Sequence, residues 1–121
     1  MDIEIKRIYE DSSPEDGYRA LVDRLWPRGK SKASAELNEW CKDVAPSAGL
    51  RTWFNHQPEL FDEFRSRYWA ELEASEEPRA LRDRAEQSGA TRLTLLYGAK
   101  DRQDNQAVVL RQYLLELPAT D

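Results

Sequence analysis

The stretch Tyr18-Arg19-Ala20-Leu21-Val22-Asp23-Arg24-Leu25-Trp26-Pro27-Arg28-Gly29 decides how the rest of the chain is read. Its centre, Ala20-Leu21-Val22, is apolar at consecutive positions, the mark of a strand covered on both faces. The strand is expected to run from Tyr18 to Arg24. It must end at Trp26-Pro27-Arg28-Gly29, because proline supplies no ladder donor and glycine punctuates the turn. Leu93 to Tyr97 is a second short run of the same kind and predicts another strand. Ile3, Ile5 and Ile8 predict a further strand at the amino end, before the turn-rich Asp11-Ser12-Ser13-Pro14-Glu15-Asp16-Gly17.

Between the strands helical spacing takes over. Leu37, Trp40, Cys41 and Val44 fall at i, i+3, i+4 and i+7, which predicts a helix capped by Ser34 and stopped by Pro46. Ser47 caps a short helix carrying Leu50, Trp53 and Phe54. Pro58 suits the first turn of the next, where its missing N–H would be unpaired anyway. That helix stacks Leu60, Phe64, Tyr68 and Leu72 along one row, with Glu63 before Arg67 on its outer face. Pro78 opens another, running to about Gln87 and ended by Gly89. Asn105 to Leu117 returns to helix through Ala107, Leu110, Leu114 and Leu117.

Strands of this kind followed by helices predict an α/β fold: a small, mostly parallel three-stranded sheet with helices packed against it. One domain is expected over residues 1–121, with an ordered core from about 3 to 117 and a tail from 118 to 121, frayed at Ala119-Thr120-Asp121. The link between the first two strands is short for a parallel crossover, so spacing leaves the direction of the first strand open.

Composition bounds the class. A chain of 121 residues suffices for one domain, and 40% apolar with 34% charged residues is a globular mixture. Its apolar runs are too short to cross a bilayer, and no basic amino end precedes an apolar stretch, so neither a membrane span nor a signal peptide is expected. The lone cysteine, Cys41, has no internal disulfide partner and no neighbour at metal-ligand spacing. A reducing cytoplasm is the expected compartment, and no metal site is expected. Eighteen basic against 23 acidic residues give a net charge of −5, which disfavours nucleic acid as a partner. The charge is uneven, however. No acid lies between Asp23 and Glu36, where Arg24, Arg28, Lys30 and Lys32 stand together. Such an island suits a small anion, or is simply a solvated loop.

In open α/β sheets, ligands sit outside the carboxyl ends of the strands. Two such ends are polar here: Asp23 to Gly29, and Tyr97-Gly98-Ala99-Lys100-Asp101 with Asn105 opening the helix beyond. If the two strands are parallel neighbours, these segments face one crevice. Arg24, Arg28, Arg51, Tyr97, Lys100 and Asn105 are then the candidate ligand-binding residues, combining guanidinium forks with a phenol, an amide and a helix start. Asp23 and His56, the only histidine, are the candidate proton-transfer groups. Each has a plainer alternative. Asp23 and Arg24 suit a buried structural pair equally well, and His56 can end one helix and begin the next. Ser47 reads as a cap, since no Gly-x-Ser-x-Gly elbow surrounds it. Cys41 and the aromatics Trp40, Trp53, Phe64 and Tyr68 read as core. Gly-rich phosphate cradles are absent, so no cofactor is expected.

The ordered motifs Val22 to Gly29, Trp40, Ala45-Pro46-Ser47, Leu50-Arg51 with Trp53-Phe54 and His56, Phe64 and Tyr68, Glu71-Leu72, and Thr94 to Tyr97 leading through Lys100-Asp101 to Asn105, Ala107 and Leu110 carry a resemblance. The chain resembles the YeaO-like family, a bacterial domain of unknown function, from about Ile3 to Leu117. The resemblance implies an α/β fold and bacterial, cytoplasmic residence, and it brings no catalytic residue. Cys41 and Gly98 depart from the family pattern.

The residues support two kinds of function. One is a small-molecule site for a phosphate- or carboxylate-bearing ligand, with hydrolysis or group transfer as fitting reactions. The other is a non-catalytic binding or regulatory module whose Trp-Pro-Arg loop meets a protein partner. A concave cleft holding Arg24, Arg28 and Arg51 favours the first, and a flat surface with Trp26 projecting favours the second.

Overall fold

The structure, a computed structural model, describes residues 1–118, so the fraying expected at Ala119-Thr120-Asp121 lies outside the described residues. Four strands form the sheet: β1 (Asp2–Arg7), β2 (Tyr18–Leu21), β3 (Glu39–Trp40) and β4 (Arg92–Tyr97). Their order is β1-β4-β2-β3, and every pairing is parallel. The three-stranded, mostly parallel sheet expected above is therefore four-stranded and parallel throughout. β4 takes a central place because its residues from Leu93 to Tyr97 bury on both faces. Leu93 sits opposite Ile3 on one side and Tyr18 on the other. The short link after β1 thus never joins neighbouring strands, since β4 lies between β1 and β2. The link enters β2 at Gly17, whose φ is 65° and where a Cβ would stand 2.3 Å from the Arg92 carbonyl oxygen. Only glycine fits there.

The helix expected from Ser34 to Val44 does not form. A four-residue helix, α1 (Lys32–Ala35), is capped by Ser31 instead and ends at Glu36 in the left-handed region. The chain then runs along the free edge of β2. The Asn38 N–H donates to the Arg19 carbonyl, and the Cys41 N–H to that of Leu21, both at 2.8 Å. Unpaired backbone groups on that edge outweigh a helical period carried by only four side chains. Cys41 and Val44 still bury, from a strand end and the 3-10 turn Lys42–Val44.

The remaining helices form where the spacing places them: α2 (Ala48–Phe54) capped by Ser47, α3 (Phe61–Glu73) after a 3-10 turn at Pro58–Leu60, α4 (Glu77–Gln87), and α5 (Gln106–Glu116) capped by Asn105. Strand alternation divides the apolar side chains between two cores. Ile3, Ala20, Val22, Leu93, Leu95 and Tyr97 join the main core with Phe54, Phe64, Tyr68, Leu81, Leu110 and Leu114. Ile8, Leu21 and Leu96 face the other way and meet Ala35, with Trp26 and Trp40 half-buried against them. This packing aligns the carboxyl ends of β1, β4 and β2 at one end of the sheet.

Candidate functional site

A cleft of about 990 Å³ opens where those three strands end. Arg7 enters it from the exit of β1. The exit of β2 supplies Asp23, Arg24, Pro27 and Arg28. Gly98, Lys100 and Asp101 follow β4, Asn105 and Gln106 begin α5, and Arg51, Phe54 and His56 come from α2 and the turn beyond it. Five cations (Arg7, Arg24, Arg28, Arg51, Lys100) thus line it against three acids (Asp23, Asp101, Asp104), on a chain whose net charge is −5.

The cations divide by what already holds them. Arg24 donates from Nε to the Pro46 carbonyl at 3.0 Å and from Nη2 to that of Ala45 at 3.4 Å, tying the exit of β2 to the loop before α2. Arg7 does the same after β4, from Nε to the Ala99 carbonyl at 2.9 Å and from Nη2 to Gly98 at 3.4 Å. Each guanidinium has five donors, so these bonds fix it without exhausting it. Arg28, Arg51 and Lys100 are exposed and form no salt bridge with any described residue.

Asp23 is the acid closest to the sheet. Its Oδ2 accepts from the Gly98 N–H at 2.9 Å, and its Oδ1 accepts from the Gln106 amide. Burial pushes its carboxyl up to about 6, although the two hydrogen bonds and the charge of His56 pull the other way. Asp101 has a different task. Its Oδ1 accepts the N–H groups of Gln103 and Asp104, both at 2.9 Å, which hold its carboxyl below the usual range and fold the loop before α5.

His56 ends a helix, as the plainer alternative has it, and also reaches the cleft. With Asn55 it forms a left-handed pair, φ 45° and 55°, that ends α2, and its exposed side chain lines the cleft. Asn105 lines the cleft while 2% exposed, and both ends of its amide are hydrogen-bonded. Oδ1 caps Val108 N–H at 3.1 Å and Nδ2 donates to the Asp101 carbonyl at 2.8 Å, so Asn105 positions the loop. Tyr97 is not brought into the cleft. It lies on the same face of β4 as Leu93 and Leu95, packs in the main core at 2% exposure, and has its phenol pushed up by burial.

The other reactive side chains are spoken for. Ser47 Oγ donates to Glu71 at 2.6 Å and accepts the Leu50 N–H at 3.2 Å, which makes it a cap. Burial pushes the Cys41 thiol up to about 11, far from a reactive thiolate. Trp26 does not project. Its ring packs edge-on against Trp40 at 5.2 Å, and its indole N–H donates to the Lys30 carbonyl at 2.6 Å. Arg7 and Gln106 went unnoticed in the sequence. Arg7 was findable, as the last residue of a strand whose carboxyl end had to face a ligand if β1 was parallel. No group of three His, Cys, Asp or Glu among the described residues could hold a metal ion, and no described helix is long and apolar enough to cross a membrane.

Residues 2–121 match the family model DUF488-N3i, described as the inactive DUF488-N3 subclade. The uncharacterized protein YeaO of Escherichia coli K12 is 44% identical over 118 residues, covering 97% of this chain and all of that protein. The chain belongs to this YeaO-like family. A second bacterial relative, the uncharacterized protein Rv3073c of Mycobacterium tuberculosis H37Rv, is 45% identical over 112 residues, covering 93% of this chain and 92% of its own length. No solved structure matches the chain.

Proposed function

We propose that this YeaO-like domain binds a small phosphate- or carboxylate-bearing molecule in the cleft at the carboxyl ends of β1, β4 and β2. One observation carries the reading: Arg28, Arg51 and Lys100, free of salt bridges with described residues, line one concave site with Arg7 and Arg24 on an otherwise acidic chain. Guanidinium forks match the planar geometry of both anions. Two observations support binding over a covalent hydrolase or transferase mechanism through a serine, threonine or cysteine. No serine, threonine or cysteine is among the residues lining the cleft, and the subclade it matches is described as inactive. A protein partner at the Trp-Pro-Arg loop is the weaker reading, since the anchor it needs, Trp26, is tucked against Trp40. Cytoplasmic residence fits a lone, buried, unpaired cysteine.

Thermal melts test the reading. A ligand at about 100 times its Kd stabilises the native state by about 2.7 kcal/mol, enough to raise Tm by several degrees in a domain of this size. Arg28→Ala removes only the guanidinium, because the Arg28 carbonyl that accepts from the Tyr9 hydroxyl at 2.8 Å is kept. Across phosphates, nucleotides and carboxylates at fixed ionic strength, at least one anion is expected to lift the wild-type Tm, with a smaller lift in Arg28→Ala. Equal lifts in both proteins, or none in either, would return the partner interface to the lead.

A further inference from the structure

The rim of the cleft is cationic, yet an acid stands inside it that none of those cations neutralises. Asp23 forms no salt bridge with a described residue. Its carboxylate accepts one bond on each oxygen, from the Gly98 N–H and from the Gln106 amide nitrogen. A carboxylate offers about four lone-pair sites, so each oxygen keeps acceptor capacity. Gln106 donates one of its two amide N–H groups to Asp23 and lines the same cleft, and its carbonyl oxygen is a further acceptor there. A bare anion in this space gains from Arg28, Arg51 and Lys100 and loses to Asp23. It also leaves both acceptors desolvated without a donor. A ligand that brings its own N–H donors turns that penalty into a contact. Phe54, Phe64, Pro27 and Pro46 give the cleft an apolar wall.

We propose that the ligand is bifunctional: a carboxylate or phosphate held by Arg28, Arg51 and Lys100, joined through an apolar body to an amino or amidino group held by Asp23 and Gln106. This rests on the anion-binding reading and narrows it to one ligand class.

Three probes test the proposal by calorimetry near pH 7.5: benzoate, benzylamine and 4-(aminomethyl)benzoate. The bifunctional probe is expected to bind at least about tenfold more tightly than either single-function probe, a difference of about 1.4 kcal/mol. In Asp23→Asn the ratio to benzoate should fall towards one while benzoate binding is kept or strengthened. Should Asp23→Asn fail to fold, wild type near pH 5 gives a second readout, because Asp23 is then largely protonated. The groups around Asp23 are Gly98 after β4, Gln106 on α5, His56 after α2 and the phenol of Tyr68 on α3, with Arg24 next to it in the chain. His56→Asn, which keeps a residue suited to the left-handed backbone at that position, is measured in parallel to separate any effect of the imidazole from that of Asp23. The ratio should shrink several-fold near pH 5. A ratio near one at pH 7.5, with benzoate displaced by inorganic phosphate, overturns the bifunctional ligand and leaves the anion site standing. Binding of phosphate with no binding of the bifunctional probe does the same. Silence from phosphate and all three probes overturns both.

Discussion

At Asp23 two opposing effects meet. Burial disfavours its charge, the Gly98 N–H, the Gln106 amide and His56 favour it, and burial wins, leaving the carboxyl at about 6 instead of the ordinary 3.8. A carboxyl raised in this way binds its proton more tightly in the native state than in the unfolded chain. Its contribution to stability is therefore fully present below about pH 4 and is lost as pH rises through about 6. Between those limits the wild type should lose up to roughly 3 kcal/mol relative to Asp23→Asn, at 1.36 kcal/mol per pKa unit. Urea unfolding of both proteins across that range measures the difference, and a flat difference curve would contradict the assignment. Gly98 belongs to the same balance. A Cβ there would stand 2.9 Å from Asp23 Oδ2, so a side chain at 98 would push the carboxylate out of its place.

Among the elements, α5 matters most to the cleft, because its first turn supplies Asn105 and Gln106. Its other end is held by Arg82 of α4, 6% exposed, whose guanidinium donates to the carbonyls of Leu114 at 3.0 Å, Leu117 at 3.1 Å and Pro118. The Leu114 carbonyl also accepts from the Leu117 N–H at 3.3 Å, while those of Leu117 and Pro118 lie past the end of the helical ladder. Arg82→Ala should cost about 2–3 kcal/mol, with faster amide exchange in the last turn of α5. A near-neutral change in urea unfolding would show that the clamp is dispensable. Sequence reading found β1, β2, β4 and the helices from α2 onward, because their periods are clear or their ends carry Pro, Gly or a capping residue. It missed β3, where two residues pair with a neighbouring edge and leave no period to read. The same contrast explains the site. Polar exits after the apolar bodies of β2 and β4 marked Asp23 to Arg28 and Lys100. Arg7 was hidden because β1 carries polar residues along its whole length, so no polar exit stands out from an apolar body. Tyr97 was assigned to the cleft although it continues the Leu93-Leu95 alternation into the core.

At the scale of the molecule, charge is segregated. Basic side chains collect where three parallel strands end, while the chain as a whole is acidic, and under the proposed function this asymmetry draws a small anion to one place. Titration of the uniformly 15N-labelled protein with inorganic phosphate at fixed ionic strength tests this most directly, since each amide reports its own position. Saturable shifts with one common Kd are expected for Gly98, Lys100, Asp101, Gln106 and Arg51, while Gly89 and Ala90, before β4 at the opposite end of the sheet, stay unmoved. Shifts that never saturate, or that scatter over exposed basic residues such as Arg67 and Arg84 outside the cleft, would contradict the anion site.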